Sequence, residues 1–271
     1  MTSGLALSQL KNYLVEVEAL CKEVGAFQMQ HWQTVKSVDI ADKGLNQLVS
    51  FVDKESEQKL MDGLSASLPG SCFIGEEFNP DSVFSDEPTW IIDPLDGTTN
   101  FLHGLPVFAV SVALWDGGSA QLGVVHAPAM QETFTAVRGG GAYLNGKGLQ
   151  LTGELNLSQS LIATGFPYYD FEKMSPYLEL LSDLMRSTHG LRRMGSAAID
   201  LAYMAAGRFD AFYEMGLAPW DVAAGILLVE EAGGFVSNFT GGPSVLFKRE
   251  IIAAHPALAK EFLQRVSDKL A

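Results

Sequence analysis

Apolar residues recur every three or four positions from the start of the chain, at Leu7, Leu10, Leu14, Val17, Cys21, Val24 and Phe27. Lys11, Glu16, Glu18, Lys22 and Glu23 fall mostly between them. The spacing predicts a long amphipathic first helix. Leu60, Met61, Leu64 and Leu68 predict a second, beginning after Asp53 and stopping near Pro69-Gly70, so two helices are expected before the first strand. The short apolar runs 72–75 and 90–92 each end in acidic residues, as strands delivering carboxylates to a sheet edge would. Runs 108–115 and 121–126 flank Asp116-Gly117-Gly118 and predict a hairpin, and 132–137 predicts another strand before Arg138-Gly-Gly-Gly. The first half reads as helices on an antiparallel sheet.

Beyond about residue 155 the pattern alternates. Strands are expected near Leu161, at 209–213 and at 251–254, and helices at 175–186, 196–206, 220–232 and the C-terminus. The expected fold class is α/β, with an α+β half at about 1–154 and an α/β half at 155–271. No repeat, low-complexity tract or linker separates them, so residues 1–271 are expected to form one unit with a site between its halves.

Composition narrows the function. The 271 residues are 47% apolar, enough to bury a core, and the longest apolar runs, 106–115 and 222–229, are shorter than a membrane span. The N-terminal charges do not form a signal-peptide pattern, and Cys21 and Cys72 suggest no disulfide framework or zinc site, so a reducing cytoplasm is expected. With 18 basic against 32 acidic side chains and a net charge of −14, nucleic-acid binding is not expected. An anionic small molecule still fits if cations neutralise its site locally.

The most informative stretch is Trp90-Ile-Ile-Asp-Pro-Leu-Asp-Gly-Thr-Thr-Asn-Phe101. One reading is a turn built from Asp, Pro and Gly with a Thr helix cap. The other is two oxygen ligands, Asp93 and Asp96, converging with the N–H groups of Gly97 and Thr98 on one phosphate, with Mg²⁺ shared between carboxylates and phosphate. Glu76 at a strand end and Asp221 in Pro219-Trp-Asp have ordinary readings too, as a solvated loop residue and as an acidic residue at a helix start.

Together, Gly75-Glu76-Glu77, Asp93-Pro-Leu-Asp-Gly-Thr-Thr-Asn100, Gly195-Ser-Ala-Ala198, Tyr213-Glu-Met-Gly216 and Trp220-Asp221 with Glu231-Ala-Gly-Gly234 resemble the inositol monophosphatase family, of the magnesium-dependent, lithium-sensitive phosphatase superfamily. The resemblance spans nearly the whole chain and implies a layered αβαβα sandwich of the inositol monophosphatase/fructose-bisphosphatase type. It implies that Glu76, Asp93 and the Leu95 carbonyl hold a first Mg²⁺, that Asp93, Asp96 and Asp221 hold a second, and that a third leans on Glu76. Thr98, paired with Asp53, would orient the attacking water. Glu214 would accept a hydrogen bond from a substrate hydroxyl in a pocket lined by Gly195, Ser196 and Ala197. Locally, Asp53 and Ser196 also read as helix N-caps and Glu214 as an exposed strand-end residue.

Two departures from the family pattern stand out. Gln47 replaces a usual aspartate and Ser50 a threonine, while Lys36 and Lys43 only loosely match the family's mobile-loop lysine. The implied reaction is hydrolysis of myo-inositol monophosphate or a similarly small polyol phosphate by a homodimer. Histidinol phosphate, fructose 1,6-bisphosphate, a nucleotide 3′-phosphate and NADP are alternative substrates. A regulatory role is a rival, since some bacterial members of the family also act in RNA-related complexes.

Overall fold

A computed structural model describes residues 5–35, 40–44, 47–167 and 171–271, with the side chains of 40–48 outside that description. Lys36 therefore lies outside the described residues, as do the side chains of Lys43 and Gln47. The chain runs through α1 (Leu7–His31), β1 (Ile40–Gly44), β2 (Gln47–Ser50), α2 (Phe51–Ser67), β3 (Cys72–Gly75), β4 (Thr89–Asp96), α3 (Thr98–Leu102), β5 (Ala109–Asp116), β6 (Ser119–Ala127), β7 (Glu132–Val137), β8 (Gly141–Leu144) and β9 (Lys147–Leu149). It continues through β10 (Leu161–Thr164), α4 (Met174–Ser187), β11 (Gly190–Arg192), α5 (Ala197–Ala205), β12 (Ala211–Met215), α6 (Pro219–Glu231), β13 (Phe235–Ser237), α7 (Val245–Lys248), β14 (Glu250–Ala254) and α8 (Ala259–Leu270).

Alternation along the strands builds the layers. On β4, Trp90 and Ile92 face α1 and α2 with Leu10, Val17, Cys21, Leu60 and Leu64, while Ile91 faces the opposite core with Leu201, Ala224 and Leu228. On β14, Ile251 and Ala253 join that same central core, whereas Ile252 and Ala254 pack under α4 and α8 with Leu180, Leu184, Phe262 and Val266. Because successive strand residues point to opposite faces, both sheets are apolar on both sides and α5 and α6 lie between them. The result is the αβαβα order.

The larger sheet runs β3-β4-β5-β6-β7-β8-β9 and the smaller β11-β10-β12-β14-β13. Three expectations are corrected. β1 and β2 pair antiparallel between the first two helices, so α2 does not precede the first strand. The first sheet is not wholly antiparallel, because β3 runs parallel to β4. The second helix starts at Phe51 rather than after Asp53: Ser50 is the N-cap, and its Oγ accepts from Val52 N at 3.1 Å. Asp53, three residues on, completes a capping box, which local spacing had left hidden behind an N-cap reading. The short strands β8, β9, β11 and β13 have too few residues for periodicity to declare them.

Candidate active site

The β4 strand brings Asp93 and Asp96 to its end through a bulge. Asp93 pairs with Ser111 and Asp96 with Ala109, so three steps on β4 oppose two on β5. Pro94 has no N–H for the ladder, and the extra residue turns the following side chains. Gln28 Nε2, from α1, donates to the Pro94 carbonyl at 2.6 Å, and Leu95 N donates to Asp93 Oδ1 at 3.0 Å. The Asp-Pro bulge sets the directions in which Asp93 and Asp96 leave the strand.

Asp53 divides its two oxygens. Oδ2 accepts from Ser50 N at 2.8 Å and Ser50 Oγ at 2.7 Å, while Oδ1 accepts from Thr98 Oγ1 at 3.0 Å. Thr98 Oγ1 also lies 3.0 Å from the Leu95 carbonyl. Burial raises the Asp53 pKa, and the bonds from Ser50 and Thr98 pull it back.

The second half of the chain closes onto this end of the sheet. Asp96 Oδ2 accepts from Ser196 Oγ at 2.6 Å and from Ala198 N at 2.7 Å, although these residues are a hundred positions away. Ser196 is the N-cap of α5, accepting from Ile199 N at 3.3 Å. Asp221 stands in the first turn of α6, where its Oδ2 accepts from Ala218 N at 2.7 Å. Asn100, quoted in the signature without a role, ties the halves together by donating from Nδ2 to the carbonyls of Val107 at 2.8 Å and Met194 at 2.9 Å.

These carboxylates also act on one another through their charges. Burial pushes Asp93 well above the ordinary range, and the charges of Glu76, Asp96 and Asp221 push it further. Burial likewise raises Asp221, assisted by Asp96, Glu76 and Glu214. Asp96 is raised to about 6 by burial, against the bonds from Ser196 and Ala198 and the charge of Arg193. Glu76 follows β3 and continues its ladder, with its N–H donating to the Ile92 carbonyl at 3.3 Å. As oriented here, Asp93, Asp96 and Asp221 each accept from protein donors. Among the described residues no group of three or more His, Cys, Asp or Glu side chains is arranged to hold a single ion. The oxygens nevertheless suit a hard cation: the end of β3, the end of β4 and the start of α6 each contribute like charge, and Mg²⁺ takes carboxylate and carbonyl oxygens.

Beside this cluster opens a cavity of about 520 Å³, lined by Asp96, Gly195, Ser196, Ala197, Glu214 and Asp221 among others. Glu214 is half-buried rather than exposed at its strand end. Burial and the charge of Asp96 raise its pKa to about 8, against the pull of Arg193. Gly165 makes room for it, since a Cβ there would stand 1.7 Å from Glu214 Oε1. Two further lining residues stack, with Arg193 over the Phe166 ring at 5.6 Å from its centroid.

Sequence reading missed Asp200, which also lines the cavity and whose Oδ1 is buried with no hydrogen-bond partner among the described residues. Its signal was a lone acid inside the apolar α5. It also missed Glu57, a buried acid one turn after Asp53 in α2.

A fold of two sheets interleaved with helices, and an acidic cluster beside a polar cavity, define a class that comparison with known proteins makes specific. The model of the inositol monophosphatase family matches residues 9–271, and the chain belongs to that family. An inositol-1-monophosphatase of Mesorhizobium japonicum is 40% identical over 266 residues, covering 98% of this chain and 99% of that protein. The Nus factor SuhB of Escherichia coli K12 is 42% identical over 249 residues, covering 92% and 93%. Among solved structures, the extragenic suppressor protein suhB of Bartonella henselae superposes with a TM-score of 0.87 at 37% identity, covering 95% of this chain and all of that one. No helix among the described residues is long and apolar enough to cross a membrane.

Proposed function

We propose that this chain is a Mg²⁺-dependent phosphomonoester hydrolase acting on myo-inositol monophosphate or a similarly small polyol phosphate. The observation that carries this reading is the convergence of Glu76, Asp93, Asp96 and Asp221 beside the cavity that holds Glu214. A phosphate dianion cannot enter so much like charge unless cations offset it.

Glu76, Asp93 and the Leu95 carbonyl would hold one Mg²⁺ and Asp93, Asp96 and Asp221 a second, with a third, weaker ion at Glu76. Bound Mg²⁺ supplies charge neutralisation for the phosphate and acidifies water. The chain's own groups do the rest. Asp53 accepts the Thr98 proton, which leaves Thr98 Oγ1 lone pairs to orient the attacking water. The N–H groups of Gly97 and Thr98 receive phosphate oxygens. Gly195, Ser196, Ala197 and Glu214 receive the polyol, with Asp221 between polyol and metal. No covalent enzyme intermediate is required.

The proposal extends to one catalytic unit over residues 1–271, with most metal ligands from about 1–154 and the polyol pocket from 155–271. It also extends to a homodimer in the reducing cytoplasm and to inhibition by Li⁺ at the Asp93, Asp96 and Asp221 position. The test is phosphate release from myo-inositol monophosphate, histidinol phosphate, fructose 1,6-bisphosphate, a nucleotide 3′-phosphate and NADP with Mg²⁺ titrated. The highest kcat/KM is expected on inositol monophosphate. No release from any substrate at any Mg²⁺ concentration would overturn the reading.

One observation favours a second reading, a part in a transcription complex: relatives so similar over nearly their whole length are named Nus factor. A net charge of −14 makes protein rather than nucleic acid the partner in such a complex. A pull-down with Asp96→Asn separates it from catalysis, because that role would survive the substitution.

A further inference from the structure

Helix α2 carries two buried acids one turn apart, Asp53 and Glu57, on one face. Asp53 reaches Thr98 at the start of α3. Glu57 reaches the other loop, beyond β3: its Oε2 accepts from Glu77 N at 2.7 Å and its Oε1 from Phe78 N at 3.0 Å. Both carboxylate oxygens are thus used by consecutive backbone N–H groups, and the residue immediately before this clamp is Glu76. The approach is close enough to dictate Gly75, where a Cβ would stand 2.3 Å from Glu57 Oε1 and 2.8 Å from its Cδ. Neighbouring Ser56 meets Gln28, the same side chain that holds the Pro94 carbonyl. A single turn of α2 therefore touches the supports of both loops that bear the acidic cluster.

We infer that Glu57 is a positioning residue that fixes Glu76 relative to Asp93 and Asp96 and so sets the Mg²⁺ affinity of the site, touching neither metal nor substrate. The inference rests on the Mg²⁺ reading given under Proposed function. The physical reason is preorganisation: a ligand on a loop already tied down loses less conformational freedom when it binds. Glutamine at position 57 keeps the shape but offers one acceptor, and its NH₂ would point at a backbone N–H. One of the two clamping bonds is then lost without opening a cavity.

The test is Mg²⁺ binding followed by calorimetry on the full chain, with thermal unfolding and Mg²⁺-dependent phosphate release alongside. Glu57→Gln is expected to bind Mg²⁺ about tenfold more weakly or worse, with kcat retained at saturating Mg²⁺. Gly75→Ala, which pushes the carboxylate aside without removing it, is expected to do the same and carries the test if Glu57→Gln does not fold. In the double variant Glu57→Ala/Gly75→Ala the second change should add nothing to the first, because the clash has gone. Wild-type Mg²⁺ affinity in a folded Glu57→Gln, or additive effects in the double variant, overturns the inference while the phosphatase reading stands. Absence of Mg²⁺ binding by the wild-type chain overturns both.

Discussion

Thr98 Oγ1 lies 3.0 Å from Asp53 Oδ1 and 3.0 Å from the Leu95 carbonyl, so a single hydroxyl proton serves two acceptors contributed by different segments. The threonine joins the capping box of α2 to the bulge of β4, and its oxygen keeps lone pairs for a water. Thr98→Val keeps the shape and removes this link. It is expected to lower kcat for inositol monophosphate by about 10²-fold or more, while stability falls by about 1–3 kcal/mol, the cost of leaving the buried Asp53 oxygen without this donor. Phosphate release and denaturant unfolding measured together check it. Unchanged kcat would remove Thr98 from the reaction.

Asp96 has two structural donors as well as a place in the acidic cluster. In Asp96→Asn the amide oxygen can still accept from Ser196 Oγ and Ala198 N, while the charge facing Asp93 and Asp221 disappears. Mg²⁺-dependent turnover is expected to be lost, with the melting temperature in EDTA unchanged or higher. Near-normal turnover at saturating Mg²⁺ would take Asp96 out of the metal site.

Glu214 lines the cavity and is the residue proposed to meet the polyol but not the phosphate. Glu214→Ala should reduce kcat/KM for inositol monophosphate about 10- to 100-fold more than for p-nitrophenyl phosphate, which offers no hydroxyls to it. Gly165→Ala, whose Cβ would displace the carboxylate, should fall in the same direction. Equal losses on both substrates would place Glu214 in support of the metal centre instead.

The raised carboxyls set a pH dependence of stability. Asp96 at about 6 and Glu214 at about 8 lie above their ordinary values of 3.8 and 4.5, and burial is the first cause of each. A carboxyl whose pKa is raised on folding stabilises the fold below its unfolded pKa, and that contribution is lost as pH rises through the folded value. The melting temperature in EDTA should therefore fall from pH 5 to pH 8, and Mg²⁺ should restore most of the loss at pH 8. A flat profile in EDTA would contradict the electrostatic account of the cluster.

Local pattern alone determined a good deal about this protein. The period of α1, the hairpin at Gly117-Gly118, and the strand running into Asp93 were legible because apolar spacing and turn chemistry are properties of neighbouring residues. The acidic residues and their order along the chain were legible too, since the candidate ligands sit in short motifs. Two features escaped for a physical reason. Strands β8, β9, β11 and β13 are three or four residues long, and pairing with a neighbouring strand rather than their own apolar spacing makes them strands.

The second feature is the double use of side chains. Asp53, Ser196 and Asp221 each fit an ordinary capping reading, and each does act at a helix start, yet Asp53 also accepts from Thr98, Ser196 also donates to Asp96 and Asp221 also lines the cavity. Sequence could offer these only as rivals, because a carboxylate's second oxygen or a hydroxyl's second bond is assigned by whatever the fold brings within 3 Å. Tertiary structure alone decided that Asp96 meets the start of α5, that Glu214 lies against Gly165, and that Glu57 clamps the loop after Glu76. Those contacts join residues 20 to 100 positions apart, and only the packing of both sheets around α5 and α6 and of α2 against the larger sheet closes those distances.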